Sequence, residues 1–225
     1  PPGGARLRCG VTGLTPRPEG GWALATTTGR ELFDAVVLSQ HAPDAATLVR
    51  PFDGELARRL ASITYGMAAT VSLAFREEDV PHPMDGFGFV VPAIEKLSIV
   101  GCTFGHRKYR GRAPAGHALL RAFWADAARD LPDTEIVQRT RQDLAKLLSI
   151  RVAPLFGHVA RWEDSMPRYA VGHLDLVGTI ERLAAAHDGL ALAGNGYRGI
   201  GVPDCIQSGE TAAERVLDRL FPQPV

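Results

Sequence analysis

Near the end of the chain a short apolar run, Leu190–Ala193 (LALA), leads straight into a glycine-rich stretch, Gly194–Gly199 (GNGYRG), and then into a long helical pattern from Pro203. A run with no polar alternation reads as a strand covered on both faces, the habit of parallel sheets. Such a strand needs neighbours on its edges. Only 26 residues follow Gly199, and they form one helical pattern, so the partners of Leu190–Ala193 must come from far earlier in the sequence. The chain is therefore expected to be α/β, with α+β character, and to contain a discontinuous domain.

GNGYRG matches G-x-G-x-x-G, the pattern by which a strand–turn–helix cradles a dinucleotide. That reading also needs a second strand ending in an acidic residue about 20 residues on. Here Asp218 falls inside the helical pattern instead. Two other readings stand beside it. The glycines can simply permit a tight strand-to-helix turn. Or Gly194, Gly196, Gly199 and Gly201 let backbone approach a ligand, with the helix that starts at Pro203-Asp204 pointing its free N–H groups and positive dipole end at an electron-rich edge.

Upstream, Leu7–Leu14, Gly21–Thr27 and Asp34–Ser39 read as strands, a small meander that closes on the buried VVL. A helix is expected over Gly54–Ile63. Met67–Phe75, Phe87–Val91 and Ser98–Phe104 predict a second sheet, and Ala118–Trp124 fits helix or strand equally. Asp133 suits an N-cap for a helix to Leu148, with Ile136, Thr140, Leu144, Leu147 and Leu148 on one face. His158–Trp162 reads as a strand, and Gly172–His187 as a helix buried through Leu176, Ile180, Leu183 and Ala184. The last helix, Pro203–Leu220, aligns Ile206, Gly209, Ala213, Val216, Leu217 and Leu220. Lys plus Arg and Asp plus Glu both number 25, so no global field favours nucleic acid or an anionic surface. Cys9, Cys102 and Cys205 lack metal-ligand spacing and predict buried thiols in a reducing compartment, with no metal site.

Read together, LALAGNGYRGIGVPDCIQSGETAAERVL resembles the C-terminal signature of oxygen-dependent protoporphyrinogen and coproporphyrinogen oxidases, within the flavin-containing amine oxidase group. RWEDSMPRYAVGH (Arg161–His173), GFGFVVPAIE (Gly86–Glu95) and GRAPAGHALLRAF (Gly111–Phe123) extend the resemblance over nearly the whole chain. It implies FAD as cofactor, a porphyrinogen (protoporphyrinogen IX) and O2 as reactants, and a place in heme biosynthesis. Hydride would leave a reduced ring carbon for the flavin, and O2 would reoxidise the flavin to give hydrogen peroxide. The hard chemistry then belongs to the cofactor, and no catalytic side chain is expected.

The same resemblance assigns residues. Ile200, Gly201 and Val202 would meet the flavin ring and ribityl chain, Val11 the adenine end, and Trp162 the neighbourhood of the flavin. His173 is expected to be structural. Val90, Thr103 and Phe123 would line the tetrapyrrole site. Relatives carry Leu or Ile at the position of Thr103, and a Gly-Gly pair in the region of AFWADA. Amine oxidases of the group commonly place a lysine near the flavin in the strand matching Gly66–Phe75, where this chain has Thr70. Pro1 to Arg50 (1–50) and Phe156 to Val225 (156–225) are expected to form part of an FAD-binding domain, and Pro51 to Leu155 (51–155) a substrate domain on a mixed or antiparallel sheet. The family's true nucleotide-binding motif lies in an N-terminal half that this sequence does not contain. That implies weak FAD binding or none by the isolated polypeptide and a partner, either that half or a homo-oligomer, and it leaves open both one half of a split enzyme and a non-catalytic fragment or binding module. The implied location is cytoplasmic, with peripheral membrane contact open to the full-length protein.

Overall fold

The computed structural model describes residues 4–221. The chain divides into two compact units, Pro1–Thr64 with Pro167–Val225, and Tyr65–Met166. The breaks fall later than the expected 50/51 and 155/156. The helix after residue 50 packs within the first unit, and the strand from residue 156 pairs within the second.

In the first unit, β1 (Val11–Pro16), β2 (Trp22–Thr26) and β3 (Gly29–Phe33) form an antiparallel meander. Its third strand was not expected, because Gly29–Phe33 carries the turn-like residues of TGRE. The strand expected at Asp34–Ser39 leaves the meander altogether. As β4 (Val36–Leu38) it pairs in parallel with β10 (Leu190–Leu192), Val36 opposite Leu190. This is the distant partner that the apolar LALA run requires. Helix α1 (Ala42–Val49) was also missed in the sequence, since His41-Ala42-Pro43-Asp44 looks like a turn. Proline is suited to a helix's first turn, where its missing N–H costs nothing. Helix α2 (Gly54–Ala61) follows, its N-cap Asp53 accepting from the Leu56 N–H at 2.9 Å.

Trp22, 1% exposed, joins the ends of this discontinuous unit. Its indole N–H donates to the Asp188 carbonyl at 2.9 Å, and its ring meets Phe52 and His187. His187 Nε2 lies 2.7 Å from Asp53 Oδ2. Burial works to raise the Asp53 carboxyl, but the hydrogen bonds from His187 and the Leu56 N–H together outweigh it and hold it below its ordinary value. Helix α5 (His173–Ala184) buries Val177, Ile180 and Ala184 as its spacing requires, with Leu176 and Leu183 half-buried.

Helix α6 (Val202–Leu220) turns differently from the expected orientation. Ala212 is its buried residue, with Cys205, Ser208 and Val216 half-buried beside it, whereas Ile206, Leu217 and Leu220 are exposed. Small side chains let a helix approach a strand closely. Here Ala212 and Val216 pack against Ala191 and Ala193 and leave the larger apolar stripe outward.

The second unit is built on a five-stranded sheet in the order β6 (Gly88–Val90), β7 (Gly101–Phe104), β8 (His117–Trp124), β5 (Tyr65–Arg76), β9 (Phe156–Pro167). Pairing on both edges settles 117–124 as a strand. The β5–β8, β7–β8 and β6–β7 pairs are antiparallel. A single turn, α3 (Gly105–Lys108), follows β7. Along β5 the odd residues Met67 to Phe75 are buried, and on β8 the even residues Ala118 to Trp124. They form one core with Ile136, Leu144 and Leu148 of α4 (Asp133–Leu148).

Asp133 is not the N-cap of α4. Pro132 takes that place, and the Asp133 carboxylate instead accepts from the Arg161 guanidinium at 2.6 Å. Arg161 also donates to the carbonyls of Ala128 and Leu131, so one side chain fastens β9 to the start of α4. Inside the core the Trp124 indole donates to Thr140 Oγ1 at 2.9 Å, and buried Asp143 accepts from the Ser98 and Ile99 N–H groups. Burial pushes the Cys102 thiol up to about 12. Of the expected buried thiols, Cys102 alone is buried, and Cys9 and Cys205 are half-exposed. Among the described residues no helix is long and apolar enough to cross a membrane.

Candidate functional site

Two surfaces carry the residues singled out in the sequence, one in each unit. In the first, the loop Gly194–Gly201 between β10 and α6 is tied down from several elements. The Gly194 N–H donates to Ser208 Oγ at 3.0 Å, and Gly194 sits at φ +122°, a conformation that suits glycine. The Tyr169 hydroxyl donates to the Asn195 carbonyl at 2.6 Å. His173 Nε2 lies 2.8 Å from the Tyr197 carbonyl, which can only accept, so Nε2 carries the hydrogen. The Tyr169 and His173 rings stack, 3.9 Å between centroids and 13° from parallel. Arg198 makes a two-pronged pair with Glu181 of α5 at 2.8 and 2.6 Å. That hydrogen bond lowers the Glu181 carboxyl below its ordinary range.

The glycines of this loop have a more local explanation than close approach by a ligand. A Cβ at Gly199 or Gly201 would collide with the Asp204 side chain. The Asp204 carboxylate accepts from the Gly201 N–H at 3.0 Å and supplies negative charge to the first turn of α6. Part of the positive helix end is thus met from within the chain. What remains presented is the segment Ile200-Gly201-Val202. Ile200 is 50% and Val202 74% exposed, at the edge of a loop that the tethers hold still. Such a rigid, exposed backbone edge suits a flat cofactor rim. A cavity of about 410 Å³ between α5, β10 and α6 is lined by Tyr197 and Arg198 of the loop, together with Leu190, Ala212 and Arg215. Ile200, Gly201 and Val202 are not in its walls, so this hollow and the expected cofactor contacts do not coincide. Val11 lies elsewhere in this unit, half-exposed on β1, opposite Thr26.

The second surface is the face of the five-stranded sheet opposite the core. Strand side chains alternate, so residues across from one another in register share a face. Val90 opposes Gly101, Gly101 opposes Phe123, and Phe123 opposes Thr70, one row crossing four strands. The adjacent row runs Gly88, Thr103, Arg121, Ser72. The three residues expected to line a tetrapyrrole and the position matching the amine-oxidase lysine therefore fall on one face. On β9, Val159 packs against the core and Arg161 reaches toward α4, which leaves Trp162, 56% exposed, on the other side. Tyr169, Ser208 and Asp204, which shape the loop, were not singled out as loop ligands. Their signal, a hydroxyl or carboxylate one helical turn or a strand end away from a glycine run, becomes legible only once the partners are known.

The sequence pattern of the flavin containing amine oxidoreductase family matches residues 1–217. The chain belongs to that family. It is 37% identical over 158 residues to a coproporphyrinogen III oxidase of Bacillus subtilis, covering 68% of this chain and 34% of the relative. It is 29% identical over 217 residues to a protoporphyrinogen oxidase of Macaca fascicularis, covering 92% and 45%. A crystal structure from Exiguobacterium, provisionally named a protoporphyrinogen oxidase, superposes with a TM-score of 0.81 at 30% identity over 94% of this chain and 47% of that one. The chain thus spans between a third and a half of the length of these relatives. The mixed α/β architecture is the fold of the family.

Proposed function

We propose that this chain contributes to an FAD-dependent oxidase that aromatises a porphyrinogen in heme biosynthesis, with O2 as electron acceptor. The observation that carries the reading is the single open sheet face on which Val90, Thr103 and Phe123 stand together around Thr70. A large apolar ring compound needs a flat, mostly apolar wall with few polar groups, and this face supplies one. The absence of a lysine at position 70 tells against amine oxidation. Protoporphyrinogen and coproporphyrinogen III both appear in the names of relatives.

FAD, when bound, would supply the hydride acceptor. The chain's own part is to hold and shape. The tethered edge Ile200-Gly201-Val202 would meet the flavin ring, Val11 the adenine end, and Trp162 would help exclude water near the ring. The first unit would form part of the FAD-binding domain and the second the substrate domain. The nucleotide-gripping contacts would come from a further segment or subunit.

The test is co-expression with an N-terminal flavin-binding half from such a relative, followed by porphyrin fluorescence from coproporphyrinogen III and protoporphyrinogen IX in air. Fluorescence that appears with peroxide and depends on both halves supports the reading. A flavin-loaded complex that oxidises neither compound sinks it.

A further inference from the structure

The open face of the sheet has one charge in its interior. Arg121 stands in the middle strand, β8, with Thr103 across from it on β7 and Ser72 across from it on β5. Leu119 and Phe123 are its same-face neighbours along the strand. Around them on β5 to β8 the face is built of Ala68, Thr70, Ala74, Gly88, Val90 and Gly101, and none of these four strands places an Asp or Glu there. Arg76 and His117 share the face but sit opposite each other at its end.

In this unit Arg107 pairs with Glu77, Arg129 with Asp164, Arg139 with Glu135 and Arg161 with Asp133, whereas Arg76, Arg110, Arg141 and Arg151 have no ion pair among the described residues; what sets Arg121 apart is its place inside the sheet face. The exposed Arg121 guanidinium has no ion pair or side-chain hydrogen bond among the described residues. A sheet face meant only for water alternates charges of both signs with hydroxyls. This one is apolar, small or hydroxyl-bearing in its interior, with one unpaired cation there, Arg121, between two hydroxyl side chains, and a second, Arg76, at its end. That is the composition of a ligand wall, and a planar guanidinium fork matches a carboxylate.

We propose that Arg121 receives a carboxylate of the substrate, with Thr103 and Ser72 beside it as further donors, so that this face selects a large apolar ring bearing carboxylate arms. The inference rests on the porphyrinogen reading and deepens it. It also gives a use to Thr103. A hydroxyl next to Arg121 favours a more heavily carboxylated tetrapyrrole, so coproporphyrin, with four arms, should be held better than protoporphyrin, with two.

The experiment is equilibrium binding of the oxidised products to the flavin-loaded complex of the two halves, without turnover, followed by porphyrin fluorescence anisotropy. Coproporphyrin III, its tetramethyl ester and protoporphyrin IX are compared on the wild type, Arg121→Met and Arg121→Lys. Loss of a charge-assisted hydrogen bond weakens binding by about tenfold or more. Arg121→Met should therefore raise the Kd of coproporphyrin III by that factor and leave the ester unchanged, and Arg121→Lys should restore part of the loss. In the wild type the acid should bind more tightly than the ester, a readout that needs no variant. Equal binding of acid and ester by the wild type, or equal weakening of both by Arg121→Met, overturns the role of Arg121 alone. A wild-type complex that binds no porphyrin overturns the porphyrinogen reading and this inference with it.

Discussion

The stacked pair Tyr169 and His173 should control the rigidity of the Gly194–Gly201 loop, and replacing His173 by Leu tests this. His173 is 7% exposed, bonded at 2.8 Å to the Tyr197 carbonyl and stacked at 3.9 Å on Tyr169. A neutral hydrogen bond contributes about 1 kcal/mol net and an aromatic stack about 0.5–1.5 kcal/mol. His173→Leu should then cost about 2 kcal/mol. For a chain of this size that lowers the melting temperature of the first unit by roughly 4–8 °C. If the cost falls on the loop, amide exchange within Gly194–Gly201 should quicken by about 30-fold, the same free energy expressed as an opening equilibrium. Tyr169→Phe removes the hydroxyl bond to Asn195 and should cost about 1 kcal/mol. Tyr169→Ala removes its ring from the stack as well, and because both single changes then lose the same stack, the Tyr169→Ala/His173→Leu double variant should cost less than the two single changes added together. Melting and exchange by mass spectrometry read all of these. Wild-type exchange in the loop of His173→Leu, or strict additivity in the double variant, would falsify the account of the loop as held by this pair.

Further outcomes follow from other contacts. Asp53 is held below its ordinary carboxyl value, so its bonds stabilise the fold fully above the unfolded pKa of about 4 and are lost as pH falls through the folded value. Asp53→Asn should cost about 1 kcal/mol at neutral pH and flatten the acid limb of stability measured by urea titration between pH 6 and 3; an unchanged acid limb would count against the clasp with His187. Leu120 is fully buried between the sheet and α4, and Leu120→Ala should cost about 2–5 kcal/mol in the same titration. With its thiol pushed up to about 12 and buried, Cys102 should resist a disulfide reagent in the folded chain while Cys9 and Cys205 react, and should react only after unfolding. Ile206→Glu on the outward stripe of α6 should move stability by no more than about 0.5 kcal/mol, whereas Ala212→Glu should abolish the melting transition of that unit.

The elements most legible in the sequence were those whose pattern is local. Helix α4 repeats apolar residues over four turns and ends at Leu148 as expected, although it begins at Asp133 with Pro132, not Asp133, as its N-cap. The need of LALA for a distant partner was also readable, because an apolar strand cannot stand alone. That its partner is Val36–Leu38 was not, since parallel pairing leaves no turn to mark it. The meander was misassigned for a related reason: Gly29 and Arg30 look like a turn until β2 pairs with them. The face of α6 was read from the helical spacing of Ile206, Gly209, Ala213, Val216, Leu217 and Leu220, but packing against β10 turns Ala212 inward beside Val216. The candidate substrate residues were each named one at a time. Their shared face depends on a register among β5, β6, β7 and β8 that no single segment encodes, and the isolation of Arg121 becomes visible only on that face.

The parallel pair β4–β10 has a consequence for how the chain is made. Val36 leaves the ribosome before Leu190, and the whole of Tyr65–Met166 is synthesised between them. Antiparallel neighbours in the inserted unit lie closer in sequence and can pair while synthesis continues, but the early strand must wait for its only parallel partner among the described residues. Contacts of such long sequence separation form slowly, because loop closure must be met before any pairing rewards it. The inserted unit should therefore protect its amides first in a pulse-labelled refolding experiment, and β4 should become protected in step with β10.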